Sequence, residues 1–201
     1  IINIVCDEGA TSRVVIGSVE ENFESLLPGG TPRIIIVTDA KVHANNLAFV
    51  NAHEHIVIGQ GESSKTFVKL EEVYRQLLHM GADRSTFIVG MGGGIVTDVT
   101  GFVASTYMRG VRFGFLPTTL LAQVDASIGK NGVNLDGYKN IIGVFNQPEF
   151  VLCDPELLSS LPDREFRAGL AEVIKAGIIG DAELFSMVER HSFEEIRSDA
   201  P

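Results

Sequence analysis

Cysteine and tryptophan are scarce in this 201-residue chain, which has no tryptophan and carries thiols only at Cys6 and Cys153. Two thiols so far apart in sequence exclude a disulfide framework and a thiolate metal site, and they suit a reducing compartment. Basic residues are also in the minority, 16 against 26 acidic ones, which leaves a net charge of −10. This charge argues against nucleic acid or an acidic membrane as a partner, although local lysines can still bind a phosphorylated small molecule.

Long apolar runs and a signal-peptide pattern are missing too, so we expect no membrane-spanning segment and a cytoplasmic protein. Hydrophobic residues still make up 45% of the chain, which is enough for a sizeable core. The chain starts at Ile1 without an initiator methionine and stops at Pro201 just after a helical segment. We therefore expect a piece of a longer protein.

Strand-like and helix-like segments alternate along the first three quarters of the chain and predict a parallel α/β sheet. From Asp154 onwards the pattern is helical. We thus predict an α/β domain over residues 1–154 and the start of a mainly helical domain, incomplete here, over residues 155–201. The predicted strands are 1–5, 14–16, 33–37, 56–58, 87–90, 111–116 and 150–153, and the helices that follow strands are predicted at 20–27, 41–52, 67–80 and 95–106.

The central stretch is residues 87–98, an apolar run that breaks into Gly92, Gly93 and Gly94 and resumes as a helix containing Asp98. It predicts a strand, a turn and a helix. Consecutive glycines let backbone N–H groups and the positive end of the helix approach an anion such as a nucleotide phosphate. The spacing is not that of the Gly-x-Gly-x-x-Gly fingerprint, so a plain tight turn is the alternative.

Polar residues after the two preceding strands are candidates for the same ligand. Asp39 comes at the carboxyl end of a predicted strand, where it either accepts hydrogen bonds from a ribose or adenine or caps the next helix. Glu62 and Lys65 follow the next strand. From the residues alone they are better interpreted as an exposed acid and a solvated base than as nucleotide contacts.

Residues 129–140 are polar and rich in glycine and amides, and they predict a long loop that binds oxygen atoms. Lys130 and Lys139 would pair with a phosphate or carboxylate, and Asn134 and Asn140 would hold hydroxyl groups. A solvent-exposed surface loop is the alternative.

The predicted helix around residues 165–177 has an apolar face with charged residues beside it. Glu172 and Lys175 lie one turn apart among small residues, which indicates a site open to a ligand. The alternative is a surface ion pair worth only ~0.2–0.5 kcal/mol. The apolar face consists of Phe166, Leu170, Val173 and Gly177, and Glu165 lies beside it with the charged pair.

Five stretches, in this order and spacing, point to one family. They are GMGGGIVTD (90–98), GFVASTYMRG (101–110), PTTLLAQVD (117–125), Lys139-Asn140 and LPDREFRAGLAEVIK (161–175). Together they closely resemble the 3-dehydroquinate synthases, which belong to the sugar phosphate cyclases and are related to polyol dehydrogenases. The resemblance runs from about Gly61 to about Phe185 and implies a Rossmann-like domain joined to a helical one.

The resemblance implies an NAD cofactor, a zinc or cobalt ion and a homodimer. It implies Glu172 as one metal ligand and Arg109 as a residue that reaches the substrate phosphate of the partner subunit. The implied substrate pocket further contains Asp125, Lys130, Lys139, Asn140, Glu172 and Lys175. The implied NAD contacts are Asp39, Glu62, Lys65, Gly93, Gly94, Ile95, Asp98, Thr118, Thr119, Leu121 and Lys139.

Two features depart from the family pattern. Members usually carry two glycines and then Lys-Thr after a Val-Asp-x-Ser segment, whereas this chain has Gly129, Lys130 and Asn131, one residue fewer. The family's other two metal ligands are histidines in the helical domain, and His191 is the only histidine after Glu172 in this sequence. The metal site is therefore predicted to be incomplete on this chain.

The implied reaction is the NAD-dependent cyclisation of 3-deoxy-arabino-heptulosonate 7-phosphate with elimination of phosphate, a carbon–oxygen lyase step of the shikimate pathway to aromatic amino acids. A substrate alcohol is oxidised, phosphate leaves, the ketone is reduced again and the ring closes, so NAD is not consumed. Three alternatives stay open. They are another sugar phosphate cyclase, since the loop at Lys130 differs; an NAD-dependent polyol dehydrogenase, which would accumulate NADH; and a nucleotide-binding fragment without its catalytic half.

Overall fold

The computed structural model describes residues 2–5, 11–30, 32–126 and 129–198, so Cys6 lies outside the described residues. The strands are β1 (Ile2–Val5), β2 (Thr11–Ile16), β3 (Ile34–Asp39), β4 (Glu54–Ile58), β5 (Phe87–Gly92), β6 (Arg112–Pro117), β7 (Lys130–Leu135), β8 (Tyr138–Phe145) and β9 (Phe150–Cys153). The helices are α1 (Val19–Leu26), α2 (Ala40–Asn45), α3 (Leu47–Asn51), α4 (Phe67–His79), α5 (Gly94–Thr106), α6 (Asp163–Gly180), α7 (Ala182–Arg190) and α8 (Phe193–Ser198).

Seven strands form one sheet in the order β1-β2-β9-β6-β5-β3-β4. In this order, all neighbouring strands from β2 across to β4 pair in parallel, and β1 pairs antiparallel with β2 at the edge of the sheet. The predicted parallel sheet, a Rossmann-like α/β fold, is confirmed. The last strand in sequence, β9, lies between β2 and β6, so the chain returns to the interior of the sheet before it enters its helical part.

Helices cover both faces of the sheet, which explains why its central strands are mostly apolar and buried. Every residue of β5 is buried. On one face the sheet packs against α4 and α5, with Leu70 and Val103 in the core. On the other face it packs against α1 and α3, with Phe23 and Val50 in the core. The carboxyl ends of the strands are thereby held in place by two layers of packing.

The strand order reverses between β3 and β5. The chain leaves β3 toward β4 on one side and resumes at β5 on the other side. In open parallel sheets such a reversal leaves a crevice at the carboxyl ends of the two strands, and ligands bind there. Asp39 ends β3 and Gly92 ends β5, so both residues lie at this crevice.

Residues 129–140 do not form the predicted long loop. They form most of an antiparallel hairpin of β7 and β8, whose turn is at Asp136 and Gly137, both with positive φ. Asp-Gly is a favoured two-residue hairpin turn. The hairpin packs on α5, where a Cβ on Gly101 would lie 1.9 Å from Oδ1 of Asn131. The sequence pattern misses β7 because one inward position carries this buried asparagine in place of an apolar residue.

Two residues depart from the burial that helical spacing indicates, and one predicted helix is divided in two. Helical spacing places Leu78 on the buried stripe of α4, but it is 61% exposed and Val73 is buried instead. Spacing likewise places Ile95 on the buried stripe of α5, whereas it lines a cavity at the start of that helix. The single helix predicted over 41–52 is interrupted at Asn46 and becomes α2 and α3.

The part of the chain after β9 is helical, as predicted. α6 closely approaches the segment that follows β6, since a Cβ on Gly169 would lie 2.5 Å from the backbone nitrogen of Leu121. Asp181 caps the start of α7, which folds back so that Phe185 packs on Gly177 of α6. The division of the chain at residue 154 stays a prediction. Within the described ranges, no helix has both the length and the apolar character needed to cross a membrane.

Candidate functional site

A cavity of about 580 Å³ opens along the carboxyl edge of the sheet. Its volume falls within the range of small-molecule sites, about 300–1,000 Å³. The segments that follow β3, β4, β5 and β6 contribute to its walls, together with the hairpin and the helical part. Of the predicted site residues, the walls contain Asp39, Glu62, Lys65, Gly93, Gly94, Ile95, Asp98, Thr118, Thr119, Leu121, Asp125, Lys130 and Asn140.

The amino-terminal end of α5 faces this cavity. Gly93 precedes the helix, and no side chain caps it. The first N–H groups of a helix have no partner within it, so with the helix dipole they form a site for an anion. A Cβ on Gly92 would lie 2.4 Å from Val96, and a Cβ on Gly93 would lie 3.0 Å from Thr119. The absence of a side chain at these glycines therefore allows the turn to pack closely and also leaves the helix end accessible to an anion.

Asp39 caps α2. Its Oδ1 accepts hydrogen bonds from the N–H groups of Lys41 and Val42 at 2.9 and 3.0 Å. The interpretation as a helix cap is thus confirmed. Asp39 also lines the cavity, so a contact with a ribose or adenine stays a prediction for its other oxygen.

Lys65 and Asp98 form a buried ion pair at the cavity wall, so the interpretation of Lys65 as a solvated base is wrong. Their side chains are 5% and 17% exposed. The Lys65 Nζ also donates to Oδ1 of Asn140 on β8 at 2.6 Å. Burial raises the pKa of Asp98, and the neighbouring Lys65 ammonium opposes this rise. The three side chains link the segment before α4, the helix α5 and the hairpin.

Thr118 and Thr119 line the cavity directly after β6. The N–H of Thr118 donates to the carbonyl of Gly92 at 3.0 Å and ties this segment to the glycine turn. Thr119 Oγ1 accepts from the N–H of Ala122 at 3.2 Å, where a π-helical turn begins. Such turns occur frequently at functional sites, and this one carries Asp125.

Asp125, Lys130 and Lys175 meet although they come from three different elements. The Asp125 Oδ1 lies 3.8 Å from Lys130 Nζ and 3.9 Å from Lys175 Nζ. Lys175 also pairs with Glu172, one turn earlier in α6. Glu172, more than Asp125, raises the pKa of Lys175. The four side chains keep between 27% and 65% of their surface exposed, so a charged ligand can reach them.

Four predicted site residues are not among those that line the cavity, namely Lys139, Arg109, Glu172 and Lys175, although Lys175 adjoins the wall through its contact with Asp125. Lys139, on the hairpin, is 72% exposed, and its Nζ lies 4.0 Å from Oε2 of Glu62. Arg109 follows α5, which runs away from the cavity for 13 residues, roughly 20 Å at 1.5 Å per residue. It is exposed and lies near the amino-terminal ends of the strands, shortly before β6 begins. Arg109 therefore does not contact the cavity of its own chain, and a catalytic role would require a second subunit.

In the part of the chain that the structure describes, no three His, Cys, Asp or Glu side chains come together in a way that would hold a metal ion. Glu172, the predicted ligand, is paired with Lys175. His191 lies in a separate, mainly apolar groove beside α6, α7 and α8, and its Nδ1 is 2.7 Å from the carbonyl oxygen of Met187. The described residues by themselves do not fit a zinc ion.

Sequence patterns miss the residues that complete the cavity on its helical side. One of them is Ser160, whose Oγ accepts from Nδ2 of Asn45 in α2 at 3.1 Å. The two residues are 115 positions apart in sequence, so no local pattern relates them. The other wall residues that no sequence pattern singled out include Asn46, Gln60 and Leu157.

Fold and cavity together define a class, namely Rossmann-like α/β proteins in which an uncapped helix amino terminus faces a cavity with a charged cluster beside it. The chain belongs to the family described as 3-dehydroquinate synthase N-terminal, whose family model matches residues 55–168. This identification rests on a match to more than half of the chain and agrees with the family suggested by the five sequence stretches.

Curated relatives and solved structures agree with this family. The chain is 44% identical over 181 residues to the 3-dehydroquinate synthase of Leptospira interrogans, which covers 87% of this chain and 50% of that protein. The structure of 2-epi-5-epi-valiolone synthase from Streptomyces hygroscopicus, with NAD+ and Zn2+ bound, superposes with a TM-score of 0.81 at 30% identity, covering 94% of this chain and 55% of the other. A 2-deoxy-scyllo-inosose synthase complexed with carbaglucose-6-phosphate, NAD+ and Co2+ superposes with a TM-score of 0.78 at 29% identity, over 89% and 52%. The chain thus spans about half the length of the curated relatives it matches.

Proposed function

We propose that this chain is the cofactor-binding half of a 3-dehydroquinate synthase. The reaction is the cyclisation of 3-deoxy-arabino-heptulosonate 7-phosphate with loss of phosphate, a carbon–oxygen lyase step in aromatic amino acid biosynthesis. One observation carries the proposal: Asp125 and Lys130 line the cavity that also contains the uncapped end of α5, and Lys175 meets Asp125 from α6. The names of the curated relatives support it. A cytoplasmic location stays a prediction.

The residues around α5 fit an NAD molecule. The backbone of Gly93, Gly94 and Ile95 would hold the diphosphate, because the helix end is uncapped and faces the cavity. Asp39 and Glu62, which follow β3 and β4, would accept hydrogen bonds from the ribose hydroxyls. When bound, NAD supplies a hydride acceptor and returns the same hydride, so it is not consumed. The remaining proposed contacts are Lys65, Asp98, Thr118, Thr119, Leu121 and Lys139.

The charged cluster suits a substrate that carries a phosphate and a carboxylate. The carboxylate of Glu172 raises the pKa of Lys175, and the exposed ammonium of Lys175 would bind an anionic group of the substrate. Lys130 adds a second positive charge at the same carboxylate, Asp125. The amide of Asn140 offers a further polar contact at the cavity wall. These groups would bind and orient the substrate against the α5 end.

Glu172 is proposed as one ligand of a divalent metal, zinc or cobalt, as the family resemblance implies. The described residues do not complete such a site, so no step of the reaction is derived through the metal. We further propose that residues 155–201 begin the helical domain and that the remaining ligands come from residues outside this chain.

A homodimer would give Arg109 a catalytic role, since it lies at the far edge of the sheet from its own cavity. We expect mixed dimers of an Arg109→Ala subunit and a Lys175→Ala subunit to regain part of the activity, because one of the two sites would then have both residues intact. Phosphate release by purified heterodimers, made in the longer protein, measures this. Heterodimers as inactive as either parent variant would argue against a shared site.

Another sugar phosphate cyclase is the second candidate. The segment at Gly129, Lys130 and Asn131 is one residue shorter than the family pattern, and Lys130 lines the cavity. This change affects the wall that would meet the substrate, whereas the α5 end is unaffected. A different phosphorylated sugar would therefore share the cofactor site and the first steps of the reaction.

The cofactor part of the proposal is tested with this chain itself. Gly93→Val should abolish NAD binding in calorimetry, because its side chain would press on Thr119 and fill the approach to the helix end. The control is Gly29→Val, since nothing lies within 4 Å of a Cβ there. A folded Gly93→Val protein that binds NAD as tightly as the parent would leave the glycine turn with a packing role only.

The reaction is tested in a version of the chain continued through the carboxyl-terminal half of a curated relative. Release of phosphate from 3-deoxy-arabino-heptulosonate 7-phosphate without net NADH would support the synthase. Phosphate release from other sugar phosphates only would support the second candidate. Accumulation of NADH in proportion to turnover would identify a dehydrogenase, and NAD binding without any turnover would leave a nucleotide-binding fragment.

A further inference from the structure

Asn134 occupies a junction that the sequence pattern does not reveal. It is on β7, and it is not among the residues that line the cavity. The expectation that its amide holds a ligand hydroxyl stays a prediction. Within the protein, its hydrogen bonds go to two residues that do line the cavity, Glu62 and Asn140, and to the backbone of a third, Lys65.

The contacts of Asn134 use both ends of its side chain and its backbone. Nδ2 donates to Oε1 of Glu62 at 2.8 Å, and Oδ1 accepts from the backbone N–H of Asn140 at 2.9 Å. Its own N–H donates to the carbonyl of Lys65 at 2.8 Å, beside a bridge to Thr66. One residue thus connects β7, β8 and the segment between β4 and α4.

Asn140 needs such a connection because its backbone is in the left-handed region, with φ +52°. Asparagine tolerates this region better than most residues, but it remains less favourable than the extended conformation. The hydrogen bond to Asn134 offsets this cost, and it aims the Asn140 side chain at Lys65, whose Nζ it meets at 2.6 Å. Without the bond, the backbone at Asn140 can relax and withdraw its amide from the buried ion pair.

We propose that Asn134 is a positioning residue, which locks the hairpin to the β4–α4 segment and so fixes Glu62 and Asn140 in the cavity wall. The inference deepens the proposed function and rests on it as far as NAD is the ligand. Lys139 contributes from the same hairpin, because its Nζ lies 4.0 Å from the other oxygen of Glu62. Glu62 is therefore held at Oε1 by an amide and faces an ammonium at Oε2.

Two variants separate the contacts. Asn134→Ala removes both side-chain hydrogen bonds, and we expect NAD to bind about tenfold more weakly, the effect of losing one or two net hydrogen bonds. We also expect the N–H of Asn140 to lose its protection against hydrogen exchange. Asn134→Asp keeps the acceptor for Asn140 but replaces the donor to Glu62 with a second carboxylate.

The aspartate variant has a pH signature that a merely structural role would not produce. Two carboxyl groups at hydrogen-bond distance share a proton more readily as the pH falls, so its affinity for NAD should recover toward the parent value between pH 7.5 and pH 5. The charged neighbours of Glu62, namely Lys139, and Asp98 with its partner Lys65, are the same in both proteins. The recovery is therefore read as the ratio of variant to parent at each pH.

The matched control is Asn146→Ala, which removes a hydrogen bond from Nδ2 to Oγ of Ser105 at 2.9 Å near the open end of the hairpin. It should leave NAD affinity and the Asn140 amide unchanged. The inference is overturned if Asn134→Ala binds NAD like the parent, if Asn146→Ala loses as much affinity, or if the Asn140 amide keeps its protection in Asn134→Ala. If the parent chain binds no NAD, the proposed function fails. The inference is then tested by hydrogen exchange alone, as the loss of protection of the Asn140 N–H in Asn134→Ala.

Discussion

Replacement of Lys65 by methionine tests whether the buried ion pair is a structural element of the cavity. Methionine has nearly the same length, so the packing changes little while the charge disappears. Asp98 then remains buried without its counter-charge, and Asn140 loses a donor. Breaking a buried ion pair on one side costs about 3–5 kcal/mol. Because the Asp98 side chain keeps 17% exposure, we expect the lower end, about 3 kcal/mol at pH 7.

The cost should depend on pH, since burial raises the pKa of Asp98 even with Lys65 present. The folded protein therefore holds this proton more tightly than the unfolded chain, whose value is near 3.8. The free energy of unfolding falls as the pH rises from the pKa of Asp98 in the unfolded chain to its higher pKa in the folded protein, by up to about 1.4 kcal/mol per pH unit. Removing Lys65 raises the pKa of Asp98 in the folded protein further, so the free energy of unfolding continues to fall up to a higher pH. The loss relative to the parent should thus be small near pH 4 and complete at pH 7.

Denaturant unfolding between pH 4.5 and pH 8 measures this difference, and at neutral pH the melting temperature should fall by roughly 6–12 °C. The matched control is Lys69→Met on α4, where an exposed ion pair with Glu72 is lost and the expected cost is at most about 0.5 kcal/mol. A loss below 1 kcal/mol in Lys65→Met, or the same loss at pH 4.5 and pH 8, would refute the reasoning.

Three further predictions follow from other parts of the chain. Gly101→Ala should destabilise the protein by about 1–3 kcal/mol in denaturant unfolding, because its Cβ would meet Asn131 at 1.9 Å; a similar loss in Gly29→Ala would contradict this cause. Burial raises the pKa of the Cys153 thiol to about 11, so iodoacetamide at pH 8 should leave it unmodified in peptide mapping until denaturant is added, and labelling at the pace of a free thiol would contradict the burial. The 201-residue chain should bind zinc weakly, whereas the protein continued through the carboxyl-terminal half of a relative should need a divalent metal and lose activity in Glu172→Gln. Tight stoichiometric zinc binding by the 201-residue chain would contradict the prediction that its metal site is incomplete.

Local patterns predicted a parallel α/β sheet and the glycine turn at the carboxyl end of one of its strands. The run from Phe87 into Gly92 predicts a buried strand followed by a helix, and β5 and α5 are found there. Such a pattern reports on local backbone preference and burial, and both act within a few residues. The same holds for the helical character after Asp154. Family motifs further brought together residues of the cavity wall that spacing alone could not relate.

Tertiary structure alone decided which charges are buried and which residues meet. Lys65 is a partnered, buried cation only because Asp98 and Asn140, 33 and 75 positions away, are packed against it. Asn134 holds the hairpin in place through partners on other elements. Contacts between distant segments depend on strand order and helix packing, and these are properties of the whole fold rather than of any stretch of sequence.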